Sequence, residues 1–87
     1  MHRPTLDLHG NHVHEAWKKV AKFLESCYYT NYTNCEIICG QGAIKLEIEQ
    51  WLSLNSHVQE YRLNTRTQGS YNIKLRKKRI RNKWEIT

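Results

Sequence analysis

The 87-residue chain contains a single aspartate, Asp7, and a histidine stands two residues after it. On a strand, residues two apart share a face, so the Asp7 carboxylate and the His9 imidazole would lie side by side while Leu8 points the other way. A carboxylate beside an imidazole can hold one ring tautomer and support a general base or acid near neutral pH. The same Asp-x-His pattern at a strand end also serves as a turn-capping or mutually satisfied polar pair, and spacing alone leaves both readings open. A second group is Gly40-Gln41-Gly42, with Lys45 just beyond it. Two glycines let backbone approach a bulky anion closely, and a helix that starts there offers unpaired N–H groups and partial positive charge. Such a cradle suits a phosphate, with the imidazole and carboxylate as candidate acid-base groups beside it.

These groups can act together only if the chain brings them together. Thr5 to His9 alternates apolar and polar residues and is closed by Gly10, which predicts a short strand ending in a turn. Val13, Ala16, Trp17, Val20, Leu24 and Cys27 then recur at helical spacing, capped by Asn11 or His12, Asn being the better capping residue. Tyr28 to Asn34 reads as the exit and loop. Cys35 to Cys39 predicts a second strand, and Ile44, Ile48, Trp51 and Leu52 one face of a second helix ending near Leu54 and Asn55. Trp17 and Trp51 match core positions of their helices. Val58 to Leu63 predicts a third strand, Asn64 to Ser70 a loop, and Tyr71, Ile73 and Leu75 a fourth strand.

The order βαβαββ implies an α/β fold, a two-layer sandwich with a mixed four-stranded sheet. Its strand-helix-strand passages should pair in parallel through right-handed crossovers, with the closing strands added antiparallel. Both glycine turns would then follow the carboxyl ends of strands, where α/β sheets place ligands.

Charge divides the chain unevenly. Residues 1–73 hold seven Lys and Arg against seven Asp and Glu, while residues 74–87 hold seven basic residues against Glu85. A neutral body with a basic end is neither a histone-like polycation nor an acidic disordered tail. Arg76, Lys77, Lys78, Arg79 and Arg81 are therefore candidate phosphate contacts, with binding that weakens steeply as salt rises. Ile80, Trp84 and Ile86 are spaced for one strand face, so residues 77–87 could extend the sheet as a basic C-terminal extension of a single domain over residues 1–76. Arg66, with Thr67 and Gln68 in the Asn64 to Ser70 loop, could reach a nucleic-acid backbone from the side of the two turns, and a plain surface loop fits the same residues equally well.

Other residues carry plainer readings. Cys27, Cys35 and Cys39 are odd in number, and a three-residue gap on a strand suits neither a disulfide nor zinc, so buried reduced thiols are expected. His12 and His14 fit an exposed first helical turn, and Lys18, Lys19 and Lys22 a solvated helix face. Tyr28, Tyr29 and Tyr32 could stack on unpaired bases, with burial of one or two as the simpler expectation. No apolar run approaches the roughly 20 residues that cross a membrane, and Met1-His2-Arg3-Pro4 is no signal peptide, so a cytoplasmic address is expected.

Leu6-Asp7-Leu8-His9-Gly10 followed by Val13, Glu15 and Ala16, then Ile38-Cys39-Gly40-Gln41-Gly42 with Ile44, Lys45, Ile48, Trp51 and Leu52, resembles the Smr (small MutS-related) domain. The match runs on through Val58 to Gly69 and into Ile73 and Leu75. The resemblance implies a βαβαββ fold similar to the C-terminal domain of translation initiation factor three, and nicking or RNA-cleaving endonuclease activity. By position it places the family's Leu-Asp-x-His motif on Leu6, Asp7 and His9, its Gly-x-Gly turn on Gly40 and Gly42, and its following basic residue on Lys45. Cys39 stands where the family usually has His or Thr, which removes a side chain suited to bonding the scissile phosphate.

The expectation is a stand-alone, monomeric Smr-type endonuclease acting on nucleic acid, RNA favoured over DNA, with the ribosome as one place of action. His9 would be the base or acid, Asp7 its orienter, and Gly40, Gln41, Gly42 and Lys45 the anion clamp. No cofactor is certain. On DNA, where water must attack, Asp7 could help hold a divalent cation, Mg or Mn, although one carboxylate is thin for a magnesium cage. Two alternatives stay open: a non-catalytic module that binds RNA, DNA or the ribosome, and an adaptor that docks Ile80, Trp84 and Ile86 on a protein partner.

Overall fold

The computed structural model describes residues 3–77. Strand β1 (Thr5–Asp7), helix α1 (Val13–Tyr29), strand β2 (Asn34–Ile38), helix α2 (Ala43–Leu54), strand β3 (Val58–Leu63) and strand β4 (Ser70–Leu75) follow in the predicted order. The sheet order is β1-β2-β4-β3. β1 pairs with β2 in parallel, and β4 pairs antiparallel with both β2 and β3. One expectation is corrected here. β2 and β3 run the same way but are not neighbours, because β4 inserts between them and takes the ladder hydrogen bonds of both.

The alternation of each strand decides which face is covered. Cys35 and Ile37 pair in register with Ile73 and Tyr71, and all four are buried, whereas Glu36 and Asn34 pair with Asn72 and Lys74 on the opposite, polar face. The buried face carries both helices. Ala16, Val20, Leu24 and Cys27 of α1 and Ile44, Ile48 and Leu52 of α2 close the core over it. Leu8, 0% exposed, continues this core just past the end of β1, so a buried leucine pins the chain between Asp7 and His9. Burial of such a side chain stabilises by about 1.5–3 kcal/mol. The Tyr71 hydroxyl donates to the Glu49 carboxylate, tying β4 to α2. Burial first, and then the Glu49 charge, push the Tyr71 phenol above its ordinary range.

Some local expectations change. Trp17 is 52% exposed, not core, because the buried stripe of α1 passes through Ala16 and Val20 and leaves Trp17 on its flank. Trp51, by contrast, is half-buried against the core. The α1 N-cap is His12 rather than Asn11, with no side-chain capping bond. The helix also runs on through Tyr28 and Tyr29 before Asn31 turns it at φ 69°. All three cysteines are buried and free. Lys18, Lys19 and Lys22 are exposed. Among the described residues no helix is long and apolar enough to cross a membrane. Lys78, Arg79, Ile80, Arg81, Trp84 and Ile86 lie outside the described residues.

Candidate functional site

The two glycine turns are built alike. After β1 the chain runs His9-Gly10, with Gly10 at φ 85°, then Asn11, then the N-cap His12; after β2 it runs Cys39-Gly40, with Gly40 at φ 71°, then Gln41, then the N-cap Gly42. In each case a glycine in the left-handed region redirects the chain toward a helix that begins three residues later, a conformation that costs other residues about 1–2 kcal/mol. Leu8 N–H donates to the Ile38 carbonyl at 2.8 Å, extending the parallel ladder one step and holding the turns side by side. His12 makes no side-chain bond to its helix, and Gly42 has no side chain to make one. The first N–H groups of both helices, at Val13 and His14 and at Ala43 and Ile44, are left without an intrahelical acceptor.

Between the turns lies a cleft of about 270 Å³, lined by His9, His12, Gly40, Gln41 and Gly42 among others. His9 and His12 are exposed there. The sequence placed His12 on an exposed helical turn, which holds, but its position at the N-cap also puts it in the cleft; the repeated spacing from Gly to N-cap is the signal that could have found it.

Asp7 and His9 are brought together, but differently from the expected pairing. β1 ends at Asp7, so His9 sits in the turn rather than on the strand, and it is the His9 backbone N–H that donates to Asp7 Oδ1, at 2.9 Å. The carboxylate therefore fixes the turn that presents the imidazole. It does not hold the ring, which makes no hydrogen bond among the described residues.

A third segment supports the cleft. Because β4 runs antiparallel to β2, the loop before it returns to the same sheet end, and the Gly69 carbonyl accepts both Cys39 N–H (2.8 Å) and Gly40 N–H (3.0 Å). The Cys39 thiol also points to that carbonyl, at 3.4 Å. Burial raises the Cys39 pKa, partly offset by a backbone hydrogen bond and by Lys45, so the group is a neutral, engaged thiol. A Cβ on Gly69 would stand 3.4 Å from Gln41 Nε2, a measure of how closely loop and turn approach. Gln41 Nε2 donates to the Thr67 carbonyl at 3.5 Å, while Gln41 Oε1 accepts from Lys45 Nζ at 3.1 Å. Lys45 is thus held beside the glycine turn by Gln41, one helical turn away. The sequence put Thr67 on a loop that could reach this side, but it gave Gly69 no role beyond the end of that loop. Arg66 is exposed on this loop, whose turn is fixed by Arg66 N–H donating to Asn64 Oδ1.

The remaining described candidates lie elsewhere. Arg76 and Lys77 follow the far end of β4, where Arg76 N–H bonds the His57 carbonyl. The five steps of β4 from Ser70 to Leu75 separate them from the cleft by about 17 Å. Among the described residues no three His, Cys, Asp or Glu side chains gather as a metal cage would need, and Asp7 is already bonded to the turn.

A parallel β1-β2 pair whose strand ends both turn through glycine into helices over one cleft defines a class as well as a site. Residues 6–72 match the Smr domain, and the chain belongs to that family. Among curated proteins it is similar to endonuclease MutS2 of Halothermothrix orenii, 31% identical over 74 residues, and to endonuclease MutS2 of Exiguobacterium sibiricum, 29% identical over 72 residues. Those alignments cover 83% and 80% of this chain but 9% of each relative, so the chain corresponds to a small part of them. Among solved structures, the Smr domain of Thermus thermophilus MutS2 superposes with a TM-score of 0.80 at 22% identity, covering 84% of this chain and 98% of that one. YdaL, a stand-alone small MutS-related protein of Escherichia coli, gives 0.75 at 25% identity, covering 84% and 64%.

Proposed function

We propose that this chain is an Smr-type endonuclease that cleaves a nucleic-acid phosphodiester in the cleft between its two glycine turns, with RNA favoured over DNA. The observation that carries the reading is the convergence of the exposed His9 with two helix N-termini over one cleft. The unpaired N–H groups of both helices, the Gly42 backbone and Lys45 would receive the phosphoryl oxygens and the charge that grows on them. His9 would take the proton of a ribose 2′-hydroxyl. That oxygen then attacks the adjacent phosphorus, the bond to the 5′-oxygen breaks, and the leaving oxygen takes a proton from solvent, giving a 2′,3′-cyclic phosphate. RNA is favoured because its own hydroxyl supplies the nucleophile, whereas DNA needs an activated water and no carboxylate is among the residues that line the cleft. We place its action in the cytoplasm as a monomer, with residues 1–76 as the domain and residues 77–87 as an accessory basic segment.

A second reading, a binding module without chemistry, is favoured by two details. Asp7 is spent on the backbone of the turn rather than on the imidazole, and Cys39 turns its thiol to Gly69. Labelled RNA and supercoiled DNA, each incubated with protein in EDTA and in manganese, separate the two: products depending on His9 support cleavage, and intact substrates despite measurable binding support the module.

A further inference from the structure

We infer that the sheet end opposite the two turns is a second nucleic-acid contact, where exposed tyrosines stack unpaired bases beside a basic track for the backbone; this rests on the nucleic-acid reading above but not on cleavage. At this end α1 finishes in Tyr28 and Tyr29. The Tyr28 ring stacks on His57 at 4.2 Å with 26° between planes, and Tyr29 meets both edge-on, 5.1 Å from Tyr28 and 5.8 Å from His57. This packing fixes the ring positions, so little side-chain freedom remains to be lost on binding. Tyr29 is nevertheless 57% exposed, and Tyr32, in the following loop, 44% exposed.

The exit of β4 brings charge to the same place. Leu75 N–H donates to the Thr33 carbonyl and Arg76 N–H to the His57 carbonyl, both at 2.8 Å. An open groove of about 640 Å³ results, lined by Tyr28, Thr33, Gln59, Lys74, Arg76 and Lys77, with three cations and no acid among its lining residues. In the sequence, Lys78, Arg79, Arg81 and Lys83 against Glu85 follow Lys77. Aromatic faces set beside closely spaced cations match what a single strand presents, base faces on one side and phosphates on the other. A duplex hides its base faces in the stack and could use only the charges. The groove and the cleft lie about 17 Å apart along β4, so one strand held at this end would leave another segment, or another strand, for His9.

The test uses the full chain and a fluorescein-labelled 16-nucleotide oligouridylate, followed by anisotropy. The paired substitution Tyr29→Ala and Tyr32→Ala should weaken binding about ten-fold, whereas Tyr29→Phe and Tyr32→Phe, which keep the ring faces, should bind as the parent does. Arg76→Gln with Lys77→Gln should lower the slope of log affinity against log salt by about 1.4, two phosphate contacts' worth for a single strand. Circular dichroism checks that each variant is folded, and the glutamine pair provides a second test should the alanine pair not fold. Folded alanine variants that bind within about two-fold of the parent would overturn the proposal, as would an unchanged salt slope or equal losses for Ala and Phe. These shifts are read from binding and need no reaction, so a failed cleavage assay beside them would count against the reaction and not against the platform.

Discussion

Asp7 Oδ1 accepts the backbone N–H of His9 at 2.9 Å, so the only aspartate of the chain acts on its neighbour's main chain. The carboxylate sets the angle at which β1 gives way to the turn, and through that the position of the imidazole. An amide oxygen can accept the same bond. Asp7→Asn should therefore keep stability and most of the cleavage rate, while Asp7→Ala should lose about 0.5–1.5 kcal/mol of stability and a larger share of the rate. Chemical denaturation with single-turnover kinetics checks both. Loss of cleavage in Asp7→Asn, with the fold intact, would assign the negative charge a direct part in the reaction.

The two glycines of the second turn should behave differently. Gly40 lies at φ 71°, so Gly40→Ala is strained although a Cβ there would meet nothing within 4 Å, and should cost about 1–2 kcal/mol. Gly42 is at φ −94°, extended backbone that alanine adopts readily, and its Cβ would also stand in open space, within the cleft. Gly42→Ala should melt close to the parent yet bind and cleave less well, because the added methyl occupies the approach of the phosphate. Thermal melting beside an affinity measurement separates the two effects.

Alkaline pH should weaken the fold through Cys35. Burial first, then the Cys27 thiol, push the Cys35 pKa from its ordinary 9.0 up to about 12, against a smaller opposing influence of Arg3. A thiol held protonated by folding stabilises fully below pH 9, and that contribution is lost as pH rises from 9 towards 12, at up to about 1.4 kcal/mol per pH unit. Cys35→Ala lacks this loss. Urea unfolding at pH 8, 9 and 10 should show parent and variant converging with rising pH, and parallel curves would refute the assignment. Tyr71, whose pKa is also raised, is common to both proteins and cancels in the comparison.

Much of this architecture was legible in the sequence because one-sided burial writes itself into spacing. Ala16, Val20 and Leu24 on α1, Ile44, Ile48 and Leu52 on α2, and Tyr71, Ile73 and Leu75 on β4 carry the period of their element and are buried as read. The pairing of β4 between β2 and β3 was not legible, since an alternating strand fits beside either neighbour. Trp17 misled because an apolar residue at the flank of a helical stripe has the same spacing as one at its centre. At the site, the glycines announced both turns. The Asp7 bond to the His9 main chain, the Gln41 bridge from Lys45 to Thr67 and the seat of Gly69 against Gly40 depend on distances between residues that spacing does not encode. Similarly, seven basic residues in the last fourteen positions looked like an appendage to the phosphate site. The direction of β4 instead puts the first of them at the other end of the sheet.

The most direct measurement is cleavage of end-labelled single-stranded RNA by the parent and by His9→Ala, in EDTA and in manganese, with binding measured on the same samples. Parent protein should yield fragments ending in 2′,3′-cyclic phosphate, and His9→Ala should bind with unchanged affinity while cleaving at least about a hundred-fold more slowly, the usual contribution of a positioned base. RNA left intact by a parent protein that binds it, or fragments formed equally fast by His9→Ala, would contradict the cleft between the two turns as a cleavage site.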